Sequence, residues 1–373
     1  MAEFLKLMEK WDGFKDVRRM PFSEAQIAKT LDLLTNKPGY PSHQQECLLR
    51  EAITTTDFPG LFGFVIDREV LARYKVVVAD WKSYFKMKTH PNFNEVEIHK
   101  VNGADERLPV VTEKGEYLVA TMSEGHYGSR VYKHGKQFDI SWEATVNDIL
   151  DAFADIPERF ANACIRSEAF QATSTHTVAA GPNPALFGAA VVDAADLGVV
   201  TNQGVLALTV ANLQTTMGLM AVQQDVNGEP LSIRAKHLVV PPSLEMTARQ
   251  ILSSTLLLST AAAPVPASNI IPQMGLQLHV DPYLPVVDTS GNRNGTWYLF
   301  ADPAEVAAME YGYLRGYETP EICMKASDKV STLGAPLSAF SGDFATDNVL
   351  YRVRDVFGSV QMDPRAAYAQ VSA

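Results

Sequence analysis

Residues 236–248 have the sequence KHLVVPPSLEMTA, in which an apolar strand runs directly into a helix. The first five residues are rich in apolar and β-branched side chains, which predicts a short buried strand. Pro241 and Pro242 end that strand, and Ser243 is a suitable N-cap for a helix that we expect to continue to about Leu258. The junction therefore predicts a domain that mixes helices with a sheet.

Helical patterns lie on both sides of this junction. Pro157–Thr175 carries an apolar stripe and predicts a rod of about 28 Å, with Asp155 as the cap at which an earlier helix restarts. Gln203–Gln223 predicts another helix, and residues 197–224 contain no charged side chain. Because a surface helix normally has a charged face, this one is either central in a core or buried between subunits.

The last third of the chain alternates between strand and turn signals. Leu276–Val280 and Trp297–Ala301 predict strands, and residues 302–305 match the start of a compact helix. Val349–Val356 predicts a long strand that extends toward Met362. The chain after that strand is expected to be a short tail.

Residues 80–139 differ from the rest because they contain nine acidic and nine basic side chains. Val96–Val101, Val110–Thr112, Tyr117–Thr121 and Ser129–Tyr132 predict strands, separated by glycine-containing turns. So many charges are atypical of a compact core. The pattern predicts an extended, solvated hairpin whose faces offer complementary charge to a partner.

Composition excludes several classes of protein. The chain has 373 residues and a formal net charge of −11, which disfavours a protein that grips nucleic acid with its whole surface. Cys47, Cys164 and Cys323 are too few and too widely spaced for a disulfide scaffold or a thiolate zinc site. Residues 250–280 are uncharged, but three prolines interrupt them, so no membrane-spanning helix is predicted.

The sequence contains no recognisable catalytic motif. Dinucleotide-binding, phosphate-binding, zinc-protease, nucleophile-elbow and calcium-loop patterns are all missing. The eight histidines are scattered: His126 and His134 are expected to be solvated, and His237 to be hydrogen-bonded at the edge of a core. We therefore expect no catalytic, cofactor-binding or metal-binding residue and no cofactor. A Cys-His hydrolase that uses Cys47 or Cys323 stays open as an alternative.

Four stretches, taken in order, resemble one known family. They are residues 127–148, residues 156–173, the junction at 236–248, and residues 353–368. Together they span about residues 60–370 and resemble tailed-bacteriophage major capsid proteins of the Hong-Kong-97-like fold, in the branch of the phage Mu major head subunit. The resemblance implies an α+β capsid fold.

The resemblance also implies a division of the chain. Its parts would be an N-terminal arm (1–60), a lead-in to the P domain (61–79), an extended E-loop (80–137), the P domain (138–199) with a spine helix (157–175), an A domain (200–345), and a closing strand with a C-terminal tail (346–373). We expect the arm to become ordered by docking on something else, such as another subunit.

The function implied by the resemblance is assembly, not catalysis. The chain would self-assemble through hexamers and pentamers into an icosahedral shell that matures from a procapsid and encloses double-stranded DNA, faced without specific binding. Scaffold, portal and possibly decoration proteins would be partners, no membrane would be involved, and assembly in the bacterial cytoplasm would place the protein in the virion. We expect an uncleaved chain with a separate scaffold.

Two further possibilities belong to the same family of folds. An encapsulin-like bacterial nanocompartment would enclose enzymes in place of DNA. Some relatives cross-link an E-loop lysine to an asparagine, and the lysines available here are Lys82, Lys86, Lys88, Lys100 and Lys114. No matching asparagine or activating acid can be assigned from the sequence.

Overall fold

A computed structural model describes residues 79–372, except for 104–106, 109, 118, 120–121, 142–149, 193–198, 226–227, 255, 259–265, 326 and 330–342. All structural statements below concern the described residues. The predicted N-terminal arm, the lead-in at 61–79 apart from its last residue, and Cys47 lie outside them.

The structure combines helices and strands in both halves of the described chain. The α-helices are α1 (Leu150–His176), α2 (Val210–Ala221), α3 (Glu245–Ser253) and α4 (Leu284–Val287). The strands are β1 (Lys86–His90), β2 (Val96–Gly103), β3 (Met122–Ser129), β4 (Tyr132–Ile140), β5 (Thr177–Val178), β6 (Gly181–Pro182), β7 (Val191–Val192), β8 (Val199–Val200), β9 (Gln203–Gly204), β10 (Ala235–Val240), β11 (Leu256–Leu258), β12 (Pro266–Ser268), β13 (Gln277–Val280), β14 (Trp297–Ala301), β15 (Met309–Leu314), β16 (Glu321–Met324), β17 (Val349–Gln361) and β18 (Ala367–Gln370).

The chain divides into two units. The first unit comprises Met1–Val78, Lys133–Arg166 and Tyr317–Val356, and the second comprises Ala79–Tyr132, Ser167–Gly316 and Phe357–Ala373. Helix α1 and strand β17 each contribute residues to both units. The six-part division expected from the sequence stays a prediction.

The main sheet of the second unit has the strand order β13-β10-β14-β18-β9. Its central strand β14 is fully buried, and β10 pairs with it in the antiparallel direction. Strand β18 on its other side is also buried throughout, so the chain after Asp363 is not the tail expected from the sequence. Small side chains explain this position, because Ala367 and Ala369 let β18 fit inside the sheet.

A second sheet in the same unit contains β15, for which the sequence offered no clear signal. Strand β1 pairs with β15 in the parallel direction, and β15 pairs with the end of β17 in the antiparallel direction, from Met309↔Gln361 to Tyr313↔Phe357. The helix predicted at 302–305 is not formed. Asp302 accepts a hydrogen bond from the Ala304 backbone N–H (3.1 Å) and caps a turn, after which the chain extends into β15.

The first unit is built around the beginning of β17. Strand β16 pairs with it in the antiparallel direction, and β4 also pairs with β17. Phe138 stacks on Tyr351 (5.1 Å between ring centroids) and lies 4.8 Å from Phe160 of α1. This aromatic group fixes α1 against the strands of the first unit.

Three helices differ in extent from their predictions. Helix α1 is continuous through Pro157 and does not restart at Asp155, because the loss of one backbone donor is outweighed by the hydrogen bonds of a 27-residue helix. Helix α2 begins only at Val210, capped by Thr209, because residues 203–204 instead pair with β18. Helix α3 ends at Ser253, and strand β11 follows.

The uncharged helix α2 has one buried face and one exposed face. Leu213, Thr216 and Met220 are buried, whereas Gly218 and Leu219 are exposed in the isolated chain. The helix is therefore not central in a core. Of the two predicted settings, only burial between subunits remains compatible with its uncharged outer face, and that setting stays a prediction.

Two glycines provide a matched test of packing in the second unit. A Cβ atom at Gly358 would lie 2.1 Å from the Arg130 carbonyl oxygen, whereas one at Gly218 would meet nothing within 4 Å. Gly358→Ala should lower the free energy of unfolding by about 1–3 kcal/mol. Gly218→Ala should raise it by about 0.5–1 kcal/mol, because alanine is the better helix former. Urea unfolding of the full chain measures both values, and equal effects would contradict the close approach at Gly358.

Candidate functional site

Of the cysteines considered in the sequence, the described residues include Cys164 and Cys323 but not Cys47. Within the described part of the chain, no group of three or more His, Cys, Asp or Glu side chains is placed to hold a metal ion. Cys323 lies in β16 with its Sγ 3.7 Å from Glu321 Oε1, and Cys164 is buried. None of the helices among the described residues has the length and apolarity needed to span a bilayer.

The most prominent surface feature is the long hairpin formed by β2 and β3. The strands pair in the antiparallel direction from Val96↔Ser129 to Gly103↔Met122, so each covers about 27 Å. The predicted strand at 96–101 is confirmed. The strand predicted at 110–112 is not formed, and Tyr117 and Val119 likewise lie outside any strand.

Apolar side chains at the tip of this hairpin are almost fully exposed to solvent. We call residues 107–119 the tip loop. The exposed fractions are 94% for Leu108, 95% for Val110, 85% for Tyr117 and 90% for Val119. Single exposed apolar residues are ordinary, but four on one short loop indicate a surface that is covered by a partner.

An ion pair fixes the hairpin to the C-terminal part of the second unit. Lys100 Nζ on β2 lies 2.5 Å from Asp363 Oδ2, and the Asp363 side chain is only 5% exposed. The other carboxylate oxygen accepts a hydrogen bond from the Arg365 backbone N–H at 3.0 Å. Tyr127 of β3 is buried in a small cluster with Ile98 and Met362. The two strands are thus held by a charge contact and by an apolar contact beside it.

A buried polar network holds the end of β3. Ser129 Oγ donates to Glu310 Oε1 (2.8 Å) and lies 3.1 Å from His90 Nε2. His90 and Glu310 are 0% and 1% exposed. Burial, followed by the charge of Lys88, lowers the pKa of His90, while Glu310 opposes that shift. The neutral imidazole is therefore favoured, and it joins β1, β3 and β15 in one network.

Among the described residues of the tip loop, Arg107 contacts another part of the second unit. Arg107 Nε lies 2.5 Å from Glu229 Oε1. The arginine side chain is 87% exposed, so water screens this ion pair strongly and its contribution to stability is small. The base of the hairpin is consequently held far more firmly than its tip.

A chain of hydrogen bonds holds the segment that leads into β1. Asp80 Oδ1 lies 2.8 Å from His279 Nδ1, and His279 Nε2 lies 2.9 Å from His237 Nδ1. His237 is buried and hydrogen-bonded, as predicted. Burial, followed by the neighbouring His279 and Lys236, lowers the pKa of His237 to about 4.

His176 is the most completely buried histidine of this region. The rings of Tyr84, Tyr298 and Phe300 surround it at centroid distances of 6.2, 5.1 and 5.6 Å. Burial lowers the pKa of His176 to about 3, because the aromatic surroundings offer a charged imidazolium no compensation. The second unit therefore contains imidazoles whose neutral form is favoured in the folded state.

The five loop lysines considered for cross-linking have different surroundings. Lys88 and Lys82 lie 3.8 Å and 3.7 Å from carboxylate oxygens of Glu310 and Glu168, and Lys100 pairs with Asp363. Lys114 lies in the tip loop with φ 62°, and Lys86 lies on β1. At least three of these lysines therefore contribute to the fold of their own chain.

Sequence reasoning missed the acids that hold the hairpin. Asp363 follows the strand expected to extend toward Met362, where the sequence predicts only a tail, and Glu310 lies in a strand that the sequence does not predict. Asp363 and its partner Lys100 are separated by 263 residues. No local pattern can indicate such a pair, because each residue alone resembles an ordinary surface charge.

Comparison with known proteins identifies the family. A family model described as phage capsid protein matches residues 127–370, which is nearly two thirds of the chain. The chain belongs to the phage capsid protein family. As a capsid protein it is a structural component of the virion, so the predicted phage capsid function is confirmed. A search of curated proteins finds no match.

Several solved structures resemble the chain at low sequence identity. A structure from Mycobacterium phage Ogopogo has 13% identity over 79% of this chain and 92% of its own, with a TM-score of 0.47. The capsid of a native GTA particle has 12% identity over 80% and 92%, with a TM-score of 0.48. The SrpI encapsulin complex from Synechococcus elongatus PCC 7942 has 9% identity over 82% and 88%, with a TM-score of 0.44.

The family assignment rests on the family match and agrees with the mixed architecture. The predicted α+β class and the predicted capsid family are confirmed, and the Hong-Kong-97-like fold agrees with both. The finer placement in the branch of the phage Mu head subunit stays a prediction. Residues 127–370 include every strand of the two five-stranded sheets except β1, whereas most of the long hairpin precedes them.

The Lys100–Asp363 ion pair can be tested by removing its charge. Lys100→Met keeps most of the side-chain length but leaves the buried Asp363 carboxylate without its ammonium partner. The free energy of unfolding should fall by about 1–2 kcal/mol, and amide hydrogen exchange in β2 and β3 should become faster. Lys86→Met is the matched control, because exposed Lys86 has no ion pair within the described residues. Unchanged exchange in the hairpin would show that the pair does not hold it.

The pKa of His176 predicts acid sensitivity. The unfolded chain takes up a proton near pH 6.5, whereas folded His176 does so only at about pH 3. The contribution of neutral His176 to the free energy of unfolding should therefore be fully present above pH 6.5 and should decrease as the pH falls toward 3. At pH 5 the loss from this residue should be about 2 kcal/mol. His176→Phe should reduce that loss, and exposed His126→Phe should not. Urea unfolding at pH 7 and 5 measures the difference, and identical pH dependence of all three proteins would contradict it.

Proposed function

We propose that this capsid protein is the major head subunit of a tailed bacteriophage and builds an icosahedral shell around double-stranded DNA. The observation that carries the proposal is the long hairpin, which is fixed at its base and exposes four apolar side chains at its tip. We infer that this tip loop is covered by a neighbouring copy in the shell. The hairpin then has the role of the E-loop expected from the sequence.

A closed shell can be stable although each contact between its subunits is weak. A subunit that joins rings of five and six must use contacts between two different surfaces of the same chain. Each contact should be weak enough for a misplaced subunit to leave. Once a shell closes, the contacts act together and produce a stable container. A pre-fixed hairpin helps because less conformational freedom is lost when its tip is covered.

The uncharged part of the second unit supports a further contact between copies. Ile270 and Met274, which lie in the uncharged stretch 250–280, are 59% and 58% exposed. Together with the outer face of α2, they supply apolar surface without charges that would need desolvation. These residues fall in the proposed A domain (200–345), which we infer contacts its copies within each ring.

The remaining parts of the proposal concern partners and location. The net charge of −11 suits a shell that faces packaged DNA without binding it. We propose that residues 1–60 dock on another subunit, that separate scaffold and portal proteins and possibly decoration proteins take part, and that assembly occurs in the bacterial cytoplasm. We also infer that the subunit performs no catalysis and needs no cofactor.

The tip loop provides the direct test. The test variant carries four changes to Ser, at Leu108, Val110, Tyr117 and Val119. Its free energy of unfolding should lie within about 0.5 kcal/mol of that of the natural chain, because these side chains contact little of their own chain. When this variant is produced together with the proposed scaffold and portal proteins, it should form at least tenfold fewer particles than the natural chain does. Negative-stain microscopy and sedimentation measure particle yield.

The control and the alternatives are read from the same preparations. Lys114→Asn changes the same loop without removing apolar surface and should assemble normally. Normal particles from the four-serine variant would contradict the role of the loop. Small shells filled with protein would favour an encapsulin, and a solitary 40.9 kDa chain would contradict a shell protein altogether.

A further inference from the structure

The long hairpin has one face against the rest of the second unit and one face toward solvent. Ile98 of β2 packs with Tyr127 of β3 on the inner face. Lys100 of β2 lies on the same face and forms the ion pair with Asp363. Because side chains alternate along a strand, His99 and the residues two positions away from it on β2 lie on the outward face.

A pair of histidines occupies the middle of this outward face. His99 of β2 is directly opposite His126 of β3, and their ring centroids are 6.3 Å apart. Alternation places Glu97 and Glu124 on the same face as both histidines. All four side chains are exposed to solvent. Two imidazoles and two carboxylates that share one face are a donor set that zinc prefers in proteins.

The contact between His99 and Glu124 fixes which ring nitrogen carries the proton. His99 Nδ1 lies 2.9 Å from Glu124 Oε1, and an ionised carboxylate can only accept a hydrogen bond. His99 Nδ1 therefore donates, and in the neutral ring the lone pair is on Nε2. A carboxylate that orients a histidine in this way, with the other ring nitrogen free for a metal ion, is the usual arrangement around protein-bound zinc.

The second ring nitrogen of His99 faces another carboxylate. His99 Nε2 lies 3.7 Å from Glu97 Oε2. Two ligands of a tetrahedral zinc ion, each about 2.1 Å from the metal, are about 3.4 Å apart. The nitrogen and the oxygen both present lone pairs, so they repel each other unless a proton or a metal ion lies between them. The observed spacing suits a metal ion within a few tenths of an ångström.

The charge of the hairpin also favours a cation. Residues 95–129 contain seven acidic side chains and three basic ones, which gives a net charge of −4. Lys100 and Arg107 are two of those bases, and both are engaged in ion pairs within the second unit. A Cβ atom at Gly128 would overlap the carboxylate of Glu95, so this third acid also lies over the outward face.

We propose that Glu97, His99 and His126 bind one Zn²⁺ ion on the outward face of the hairpin, with Glu124 as the residue that positions His99. Glu97 and His99 already have the spacing of a ligand pair, and the exposed His126 ring turns toward them when the ion binds. Water fills the fourth position. The fold does not need the ion, because the base of the hairpin is held without it. The ion instead joins β2 to β3 halfway between that base and the tip loop.

Zinc binding to the full chain tests the proposal. The purified chain is stripped with EDTA, dialysed and titrated with ZnCl₂ by calorimetry at neutral pH, and it should bind one zinc ion on the hairpin. His99→Gln, His126→Gln and Glu97→Gln should each lower the affinity at least tenfold, because each removes a ligand. Glu124→Gln keeps all three ligands and should lower it about tenfold through the loss of orientation. MgCl₂ should not compete, because magnesium prefers oxygen ligands to imidazole.

A structural measurement shows where the ion acts. Saturating ZnCl₂ should slow amide hydrogen exchange in β2 and β3 of the natural chain, because the ion joins the two strands. It should also raise the urea midpoint, since the assembled ligands exist only in the folded chain. Neither change should occur in His99→Gln.

Two variants control for loss of a histidine or of a carboxylate elsewhere. His134→Gln removes a histidine of β4, and Glu116→Gln removes an exposed acid of the tip loop. Both should bind zinc as the natural chain does. Equal zinc affinity of the natural chain and of His99→Gln or His126→Gln would overturn the proposal, because the ion would then lie elsewhere.

The remaining outcome is equally decisive. If the natural chain takes up no zinc, a proton alone bridges Glu97 and His99 and the proposal is wrong. None of these measurements uses particle yield, so failure of the zinc site and failure of the proposed shell function are read from different experiments.

Discussion

A two-stranded hairpin cannot bury enough apolar surface to hold a defined orientation in water, and this constraint governs the functional part of the protein. The described structure meets it at the base of the hairpin. Lys100 reaches the nearly buried carboxylate of Asp363, and Ser129 joins a buried network with His90 and Glu310. The free end can therefore stay extended and apolar, because its direction is set by contacts that do not involve the tip.

The second unit also combines a buried sheet with uncharged surface that is exposed in the isolated chain. Its central strands are buried, and the last strand of the chain lies inside the main sheet. Surfaces without charge, such as the outer face of α2, remain exposed in the isolated subunit. We infer that neighbouring copies complete these surfaces in the shell, because contiguous exposed apolar surface is uncommon on proteins that stay monomeric.

The buried histidines add a dependence on pH to this arrangement. His176 and His237 have lowered pKa values because their surroundings disfavour an imidazolium ion. Asp80 and His279 connect the segment before β1 to the strand that contains His237. Protonation would thus act on the same unit that fixes the hairpin.

Local patterns were sufficient for elements whose signal lies in consecutive residues. The strands at 96–103, 235–240, 297–301 and 349–361 follow from apolar and β-branched runs, and the phase of α2 follows from helical spacing. Patterns were misleading where tertiary pairing competed with them. Residues 203–204 pair with β18 although they could begin a helix, and residues 302–305 form a turn because β15 must start soon after them.

The amino-acid sequence by itself determined the α+β class, the absence of a recognisable catalytic motif, and a charge-dense hairpin beside an uncharged region, because these depend on composition and short-range spacing. Only the tertiary structure decided which charges are paired and which remain available. Asp363 and Lys100 are far apart in the chain and acquire their role only when folding removes the carboxylate from water. Electrostatic energy depends on distance and burial, and neither is a property of sequence position.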